Sequence, residues 1–221
     1  MTDEIPDDEL CERFADLYPG AITDVMDDRG YMDQILDAEI DPIRDQMTVA
    51  GLAYPCRGRP NRNVDEDENI RNFLNMLRDA PDNSVVTYET HATDSSQLGE
   101  LSVECLMARN CRGAVIDGGV RDLSYILEND FPVFAKFSTP ADAIPRWELL
   151  DWNTDAVVGG VEVRPGDVLV GDVDGVVAVP ADIAEEVLRE AEALADTENH
   201  VRKAVREGGD PLEAYDEYGV F

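Results

Sequence analysis

Lysine is almost missing from this chain. Lys136 and Lys203 are the two lysines among 18 basic residues, and histidine occurs twice, as His91 and His200. Set against 49 aspartates and glutamates, so few cations leave a formal charge of -31. A surface of that sign repels phosphate backbones and anionic lipid, which excludes nucleic-acid or membrane binding as the main task. Cysteine is sparse as well. Cys11, Cys56, Cys105 and Cys111 form no CxxC pair, so a Cys/His zinc site is excluded and free thiols in a reducing cytoplasm are expected. No apolar run approaches the 18 residues that a membrane span needs. The opening MTDEIPDDELCERF lacks the basic, apolar, small-residue order of a secretory leader, which predicts a cytoplasmic protein. Three nucleotide and nucleophile signatures are also missing: GxGxxG after a strand, GxxxxGK[ST], and GxSxG.

What remains is a chain of 221 residues with 43% hydrophobic residues. That suits one domain over residues 1–221, with a helical segment at 1–19 and a C-terminal helical arm at 181–221. A fold of this size buries about 70% of its unfolded surface and needs no disulfide or metal to hold it. The acid is spread along the chain rather than gathered in a tail. Together with the scarcity of lysine, this reads as adaptation to a high-salt cytoplasm, where a Debye length of about 3 Å at 1 M screens self-repulsion.

The hydrophobic pattern predicts a mixed α/β fold. Helices are expected at 7–17, from Thr23 to Gly30, at 68–79, at 97–109, at 121–129, at 181–207 and at 211–217. Strands are expected at 47–55, 84–89, 113–117, 132–136, 156–163, 167–171 and 175–179. In 68–79 the residues Ile70, Phe73, Leu74 and Leu77 follow the i, i+3, i+4, i+7 spacing of an amphipathic helix. Strand and helix alternate through the middle, which indicates a parallel section. The Val-rich strands after residue 155 are closely spaced and separated by Pro165-Gly166 and Asp172–Gly175, as antiparallel hairpins are. The stripe Ile183, Val187, Ala191 and Leu194 must pack on the body or on another subunit.

The densest chemical signal is Asp117-Gly118-Gly119-Val120-Arg121-Asp122, between an apolar strand and a helix. Ligands of α/β sheets bind beyond the carboxyl ends of strands, and the two glycines suit a sharp turn with close backbone approach. Arg121 offers a bidentate fork for a carboxylate. Asp122 offers a hard oxygen for Mg²⁺ or Mn²⁺. The structural alternative is that Asp122 caps the following helix while Arg121 makes a surface pair. Gly99-Glu100-Leu101-Ser102, at the head of a helix, presents free backbone N–H groups to an anion; Glu100 either works on a metal-bound water or serves as an ordinary first-turn acid. The block from Arg164 to Pro180 reads as a structural hairpin. His91, at a strand end, is a candidate base with a structural role as the alternative, and His200 lies in a polar helix.

These pieces together resemble the RraA-like family, which contains the regulator of ribonuclease activity A and the class II 4-hydroxy-4-methyl-2-oxoglutarate aldolases. The resemblance rests on GAVIDGGVRD, FPVFAKFSTP, Gly99-Glu100-Leu101, RPGDVLVGDVDGVVAVP, ITDVMDDRG and the ending TENHVRKAVREGG…EYGVF, and it spans about residues 20–221. It implies a swivelling β/β/α-type single domain with a mixed sheet, flanking helices and a C-terminal helical arm. A homotrimer or dimer of trimers is implied, with the site between subunits. It also implies a divalent metal, Mg²⁺ or Mn²⁺, held by Asp122, with Arg121 on the oxo-acid end of the substrate. Gly99, Glu100, Leu101 and Ser102 would bind a pyruvate unit, with Glu100 supporting the metal-bound waters. Glu198 would match an acid reaching in from a neighbouring subunit. The implied activity is cleavage of a 4-hydroxy-2-oxo acid to pyruvate through an enolate, with oxaloacetate decarboxylation as a side activity. The alternative is a non-catalytic regulator or scaffold of a ribonuclease or other partner. One departure stands out: family aldolases carry an acid three residues after the motif aspartate, and here that residue is Tyr125.

Overall fold

The computed structural model describes residues 5–92 and 94–220. Residues 1–4 of the expected N-terminal segment and Phe221 of the quoted ending lie outside them.

The chain opens with helices α1 (Asp7–Ala15) and α2 (Pro19–Asp28), then strands β1 (Asp41–Pro42) and β2 (Val49–Pro60). Helix α3 (Glu66–Asp79) leads to β3 (Ser84–Glu89), β4 (Ser96–Leu98), α4 (Glu100–Met107), β5 (Gly113–Val120), α5 (Leu123–Glu128) and β6 (Val133–Ser138). Four hairpin-forming strands and one further strand follow: β7 (Trp147–Trp152), β8 (Ala156–Val158), β9 (Val161–Val163), β10 (Val168–Asp172) and β11 (Gly175–Val179). Helices α6 (Ala184–Arg206) and α7 (Pro211–Tyr218) end the chain.

One mixed sheet runs in the order β1-β6-β5-β3-β2-β10-β11, with β4 added on β5 and β7 on β2. Its centre is parallel, β2 to β3 to β5 to β6, and β10 and β11 extend it antiparallel. The alternation of side chains along each strand builds two cores at once. Val86, Tyr88, Ala114 and Ile116 face the layer of α3, α4 and α5. Val85 and Val115 face the opposite side, against Val158 and Val161 of the β8–β9 hairpin. A third cluster joins Val168 and Val170 of β10 to α1, α2 and the stripe of α6. Strands buried on both faces read as continuous apolar runs, which explains the Val-rich segments.

The expected mixed α/β fold is present, with several differences in detail. Helix α2 starts at Pro19 rather than Thr23: proline at the first helical position is preorganised, and the Thr23 hydroxyl bonds back to the Gly20 carbonyl at 2.9 Å. The expected helix 97–109 divides into β4 and α4, because Ser96 and Leu98 pair with β5. Gly118 and Gly119 do not turn; they continue β5. A Cβ on Gly118 would meet Thr90 Oγ1 at 2.5 Å and one on Gly119 the Ser95 carbonyl oxygen at 2.5 Å, so both glycines serve close packing of neighbouring chain. Gly159 and Gly160, at φ 54° and 84°, break the expected strand 156–163 into a hairpin. Strands β1 and β7 had no expectation. The stripe of α6 packs on the body of this same chain, with Val187, Leu188 and Ala191 buried. No helix among the described residues is long and apolar enough to cross a membrane.

Candidate active site

Strand β5 ends between β4 and β6, and the Arg121 backbone N–H donates to the Leu98 carbonyl at 3.0 Å. Arg121 is thereby pinned at the carboxyl end of the parallel strands, the usual ligand position in such sheets. Asp122 follows with φ 59° and ψ 36°. This left-handed conformation is tolerated by aspartate better than by most side chains. It aims the carboxylate away from α5, whose N-terminus makes no side-chain cap bond. Asp122 Oδ2 accepts instead from the Glu100 backbone N–H at 3.0 Å, so it caps α4, a non-local element, rather than its own helix. The approach is close enough to require glycine next door: a Cβ on Gly99 would lie 2.7 Å from Asp122 Oδ2 and 2.9 Å from Arg121 Nε.

Arg121 lies between two carboxylates, Asp122 Oδ2 and Asp142 Oδ1, each at 3.6 Å. That is ion-pair range but beyond hydrogen-bond length. Among the described residues its guanidinium makes no hydrogen bond. Arg13, by contrast, binds Glu192 at 2.6 and 2.8 Å. With its side chain 35% exposed, Arg121 keeps its N–H fork available for a carboxylate. Asp142 was missed in the sequence; the one available signal was an acid two residues past the FSTP motif.

These groups line a cleft of 360 Å³ between α3, α4 and the loop after β6. Gly99, Glu100, Leu101, Ser102, Arg121 and Asp122 all lie along it, joined by Asp142 and by apolar residues of α3. The Glu100 N–H is taken by Asp122, while those of Leu101 and Ser102 belong to the first turn of α4, which has no intrahelical acceptors.

Tyr125 stands behind this site. Its hydroxyl donates to the Glu104 carboxylate on α4. That bond, burial, and the charges of Glu104 and Glu100 push the phenol up to about 12, so it stays protonated at neutral pH. Neither Tyr125 nor Glu104 is among the residues lining the cleft. Three other residues singled out in the sequence lie elsewhere on this chain, among them Glu198, whose expected place is a neighbouring subunit's site. His91 Nε2 sits 2.8 Å from Glu89 Oε1 and lines a separate depression with Asp117 and Lys136. Glu198, on α6, accepts from the Tyr18 hydroxyl and lies 3.7 Å from Arg202. His200 stacks on Tyr218. None of the three lines the cleft.

No group of three His, Cys, Asp or Glu side chains among the described residues converges as a metal cage. Mg²⁺ asks for less, because it retains several waters and takes one or two carboxylates. Asp122 fits that requirement, with one oxygen on the Glu100 N–H and the carboxylate held at the cleft in the space that a Cβ on Gly99 would fill.

The family profile described as RraA-like, Aldolase/RraA, matches residues 20–178. The chain is 25% identical over 210 residues to protein DlpA of Legionella pneumophila, covering 95% of this chain and 34% of that one; it thus spans about a third of that relative. It is 26% identical over 180 residues to a Halalkalibacterium halodurans protein provisionally named 4-hydroxy-4-methyl-2-oxoglutarate aldolase, covering 81% of this chain and 82% of the other. The crystal structure of RraAS2 from Streptomyces coelicolor, described as an unusual member of the RNase ES inhibitor RraA protein family, superimposes with a TM-score of 0.79 at 23% identity. That match covers 90% of this chain and 98% of the other, and so shows the shared fold. By the extent of the profile match, this chain belongs to the RraA-like family.

Proposed function

We propose that this protein is a divalent-metal-dependent carbon–carbon lyase that cleaves a 4-hydroxy-2-oxo acid to pyruvate. One observation carries the reading: an arginine whose guanidinium makes no hydrogen bond among the described residues faces a cleft beside an aspartate held in a left-handed turn. The family's provisionally named aldolases support it.

In this reading Arg121 binds the oxo-acid end, and the first-turn N–H groups of Leu101 and Ser102 orient its carboxylate. Asp122, with waters in the remaining positions, would hold Mg²⁺ or Mn²⁺, which supplies Lewis acidity at the 2-oxo group. Glu100, through water, takes the proton of the C4 hydroxyl. The C3–C4 bond breaks, its electron pair moves to C3, and the aldehyde or ketone leaves. Arg121 faces the charge that develops on the pyruvate enolate, a positive group fixed before reaction. Proton return to C3 completes pyruvate. Loss of carbon dioxide from oxaloacetate passes through the same enolate and is the expected side activity. Self-association as a homotrimer or a dimer of trimers is part of the proposal, and sedimentation in molar KCl measures it.

The test is pyruvate release in molar KCl with Mg²⁺ or Mn²⁺ from a panel of 4-hydroxy-2-oxo acids and oxaloacetate. Arg121→Ala and Asp122→Ala should each lower kcat/KM by about a hundredfold or more. Asp122→Ala should also abolish the rise in Tm that Mg²⁺ gives the wild type. Undiminished release in either variant overturns the assignment. No release and no metal-dependent Tm in folded protein would point to a regulator or scaffold without catalysis.

A further inference from the structure

We propose that Asp142 is a positioning residue, which holds the Arg121 guanidinium toward the cleft and off the Asp122 carboxylate. The inference rests on the reading of Arg121 as the oxo-acid anchor and Asp122 as the metal-holding carboxylate.

Asp142 reaches the site from the loop between β6 and β7, and that loop is tied down on both sides of it. The Ser96 backbone N–H and Ser96 Oγ both donate to the Ala141 carbonyl at 2.9 Å. Arg146 Nη1 donates to the Asp142 carbonyl at 3.0 Å. The carboxylate itself is held, because Oδ1 accepts from the Ile144 backbone N–H at 3.3 Å. Ser96 and Asp142 also pair as an isolated parallel bridge. Arg121 hangs on the same short strand, through the Leu98 carbonyl. Strand β4 therefore sets the distance between the two segments, with Ser96 carrying the Asp142 side and Leu98 the Arg121 side.

The guanidinium is shared between two acids. Nε lies 3.6 Å from Asp122 Oδ2, and Nη2 lies 3.6 Å from Asp142 Oδ1. Neither carboxylate closes to hydrogen-bond length, so two pulls of equal reach keep the cation between them. The two acids have different duties. Asp122 Oδ2 already accepts from the Glu100 N–H, and in the proposed function this carboxylate also holds the metal. Asp142 can serve the arginine alone. Without its charge, the remaining attraction draws Arg121 onto Asp122, where a charge-assisted pair settles at about 2.8 Å. Gly99 puts no Cβ against either group, so the movement is open. The anchor would then turn from the substrate and occupy an oxygen of the metal-holding carboxylate.

Asp142→Asn tests this, because asparagine keeps an acceptor for the Ile144 N–H and removes the charge. In a crystal of the variant the Arg121 Nε to Asp122 Oδ2 distance should fall from 3.6 Å to about 2.8 Å. Titration with Mn²⁺ in molar KCl should show a Kd raised about fivefold, the scale of a part-exposed ion pair. In the Arg121→Ala background the same substitution should change that Kd by less than about twofold, since the coupling partner is gone. An Arg121 that keeps its 3.6 Å spacing in the variant crystal overturns the inference. Where Mn²⁺ binds, so does an effect on Kd that is equal in the two backgrounds, the result expected if Asp142 acts on the ion by its own charge. A wild type that neither binds Mn²⁺ nor releases pyruvate removes the lyase reading. Arg121 closed on Asp122 in the variant crystal would still sustain the positioning.

Discussion

At the scale of single residues, the candidate site depends on one missing atom. Gly99 has ordinary extended backbone, φ -148°, so conformational freedom does not demand glycine there. Space does: a Cβ would press on Asp122 Oδ2 and Arg121 Nε. Both contacts are the ends of side chains with room to move. Gly99→Ala should therefore leave Tm within about 3 °C, roughly 1 kcal/mol for a chain of this length. It should lower kcat/KM for pyruvate release by about a hundredfold, because a displacement near 1 Å suffices for that. A large fall in Tm with activity retained per folded molecule would refute this account. Asp122 illustrates the same scale, since its left-handed backbone lets one carboxylate cap a helix that begins 22 residues earlier in the chain. Tyr125, the residue that departs from the family motif, is tied to α4 by its hydrogen bond to Glu104.

At the scale of elements, the long C-terminal helix is clamped as well as packed. Arg13 of α1 forms two bonds to Glu192 of α6, and Arg29, just after α2, reaches Glu186 and Glu190. The hydrogen bond from Arg13, more than the opposing burial, holds the Glu192 carboxyl below its ordinary value near 4.5. A carboxyl depressed in the folded state stabilises above its unfolded value, and that stability is lost as pH falls through the folded one. Glu192→Gln should therefore lower stability at pH 7 by no more than about 1 kcal/mol, since the pair is part exposed. The difference from wild type should shrink below pH 4.5 and vanish in stronger acid. Denaturant unfolding across pH in molar KCl measures it, and a difference independent of pH would rule the clamp out.

At the scale of the whole molecule, charge dominates. A chain of 221 residues carrying -31 repels itself in dilute buffer. The Debye length shrinks from about 10 Å at 0.1 M salt to about 3 Å at 1 M, which removes most of that repulsion between exposed groups. Tm should therefore rise by about 10 °C between 0.1 and 2 M KCl, equivalent to about 3 kcal/mol at this length. A flat Tm across that range would contradict the high-salt reading of the composition.

Much of this protein was legible in one dimension. Charge sign, the alternation of strands and helices, and the place of Arg121 and Asp122 between a strand and a helix all follow from composition and local period. Those properties depend on neighbouring residues along the chain, and local pattern records them. Other features belong to tertiary structure alone. WELLDW carries no clean alternation, yet it becomes β7 because β2 extends to Pro60 and offers an edge. Gly118-Gly119 reads as a turn until Thr90, Ser95 and Phe137 are seen packed against it. Asp142 and the apolar residues of α3 join the site through contacts between distant segments. A stripe of apolar residues states that one face of a helix avoids water; whether a core, a ligand or another chain covers each part of it is decided by what the fold brings opposite.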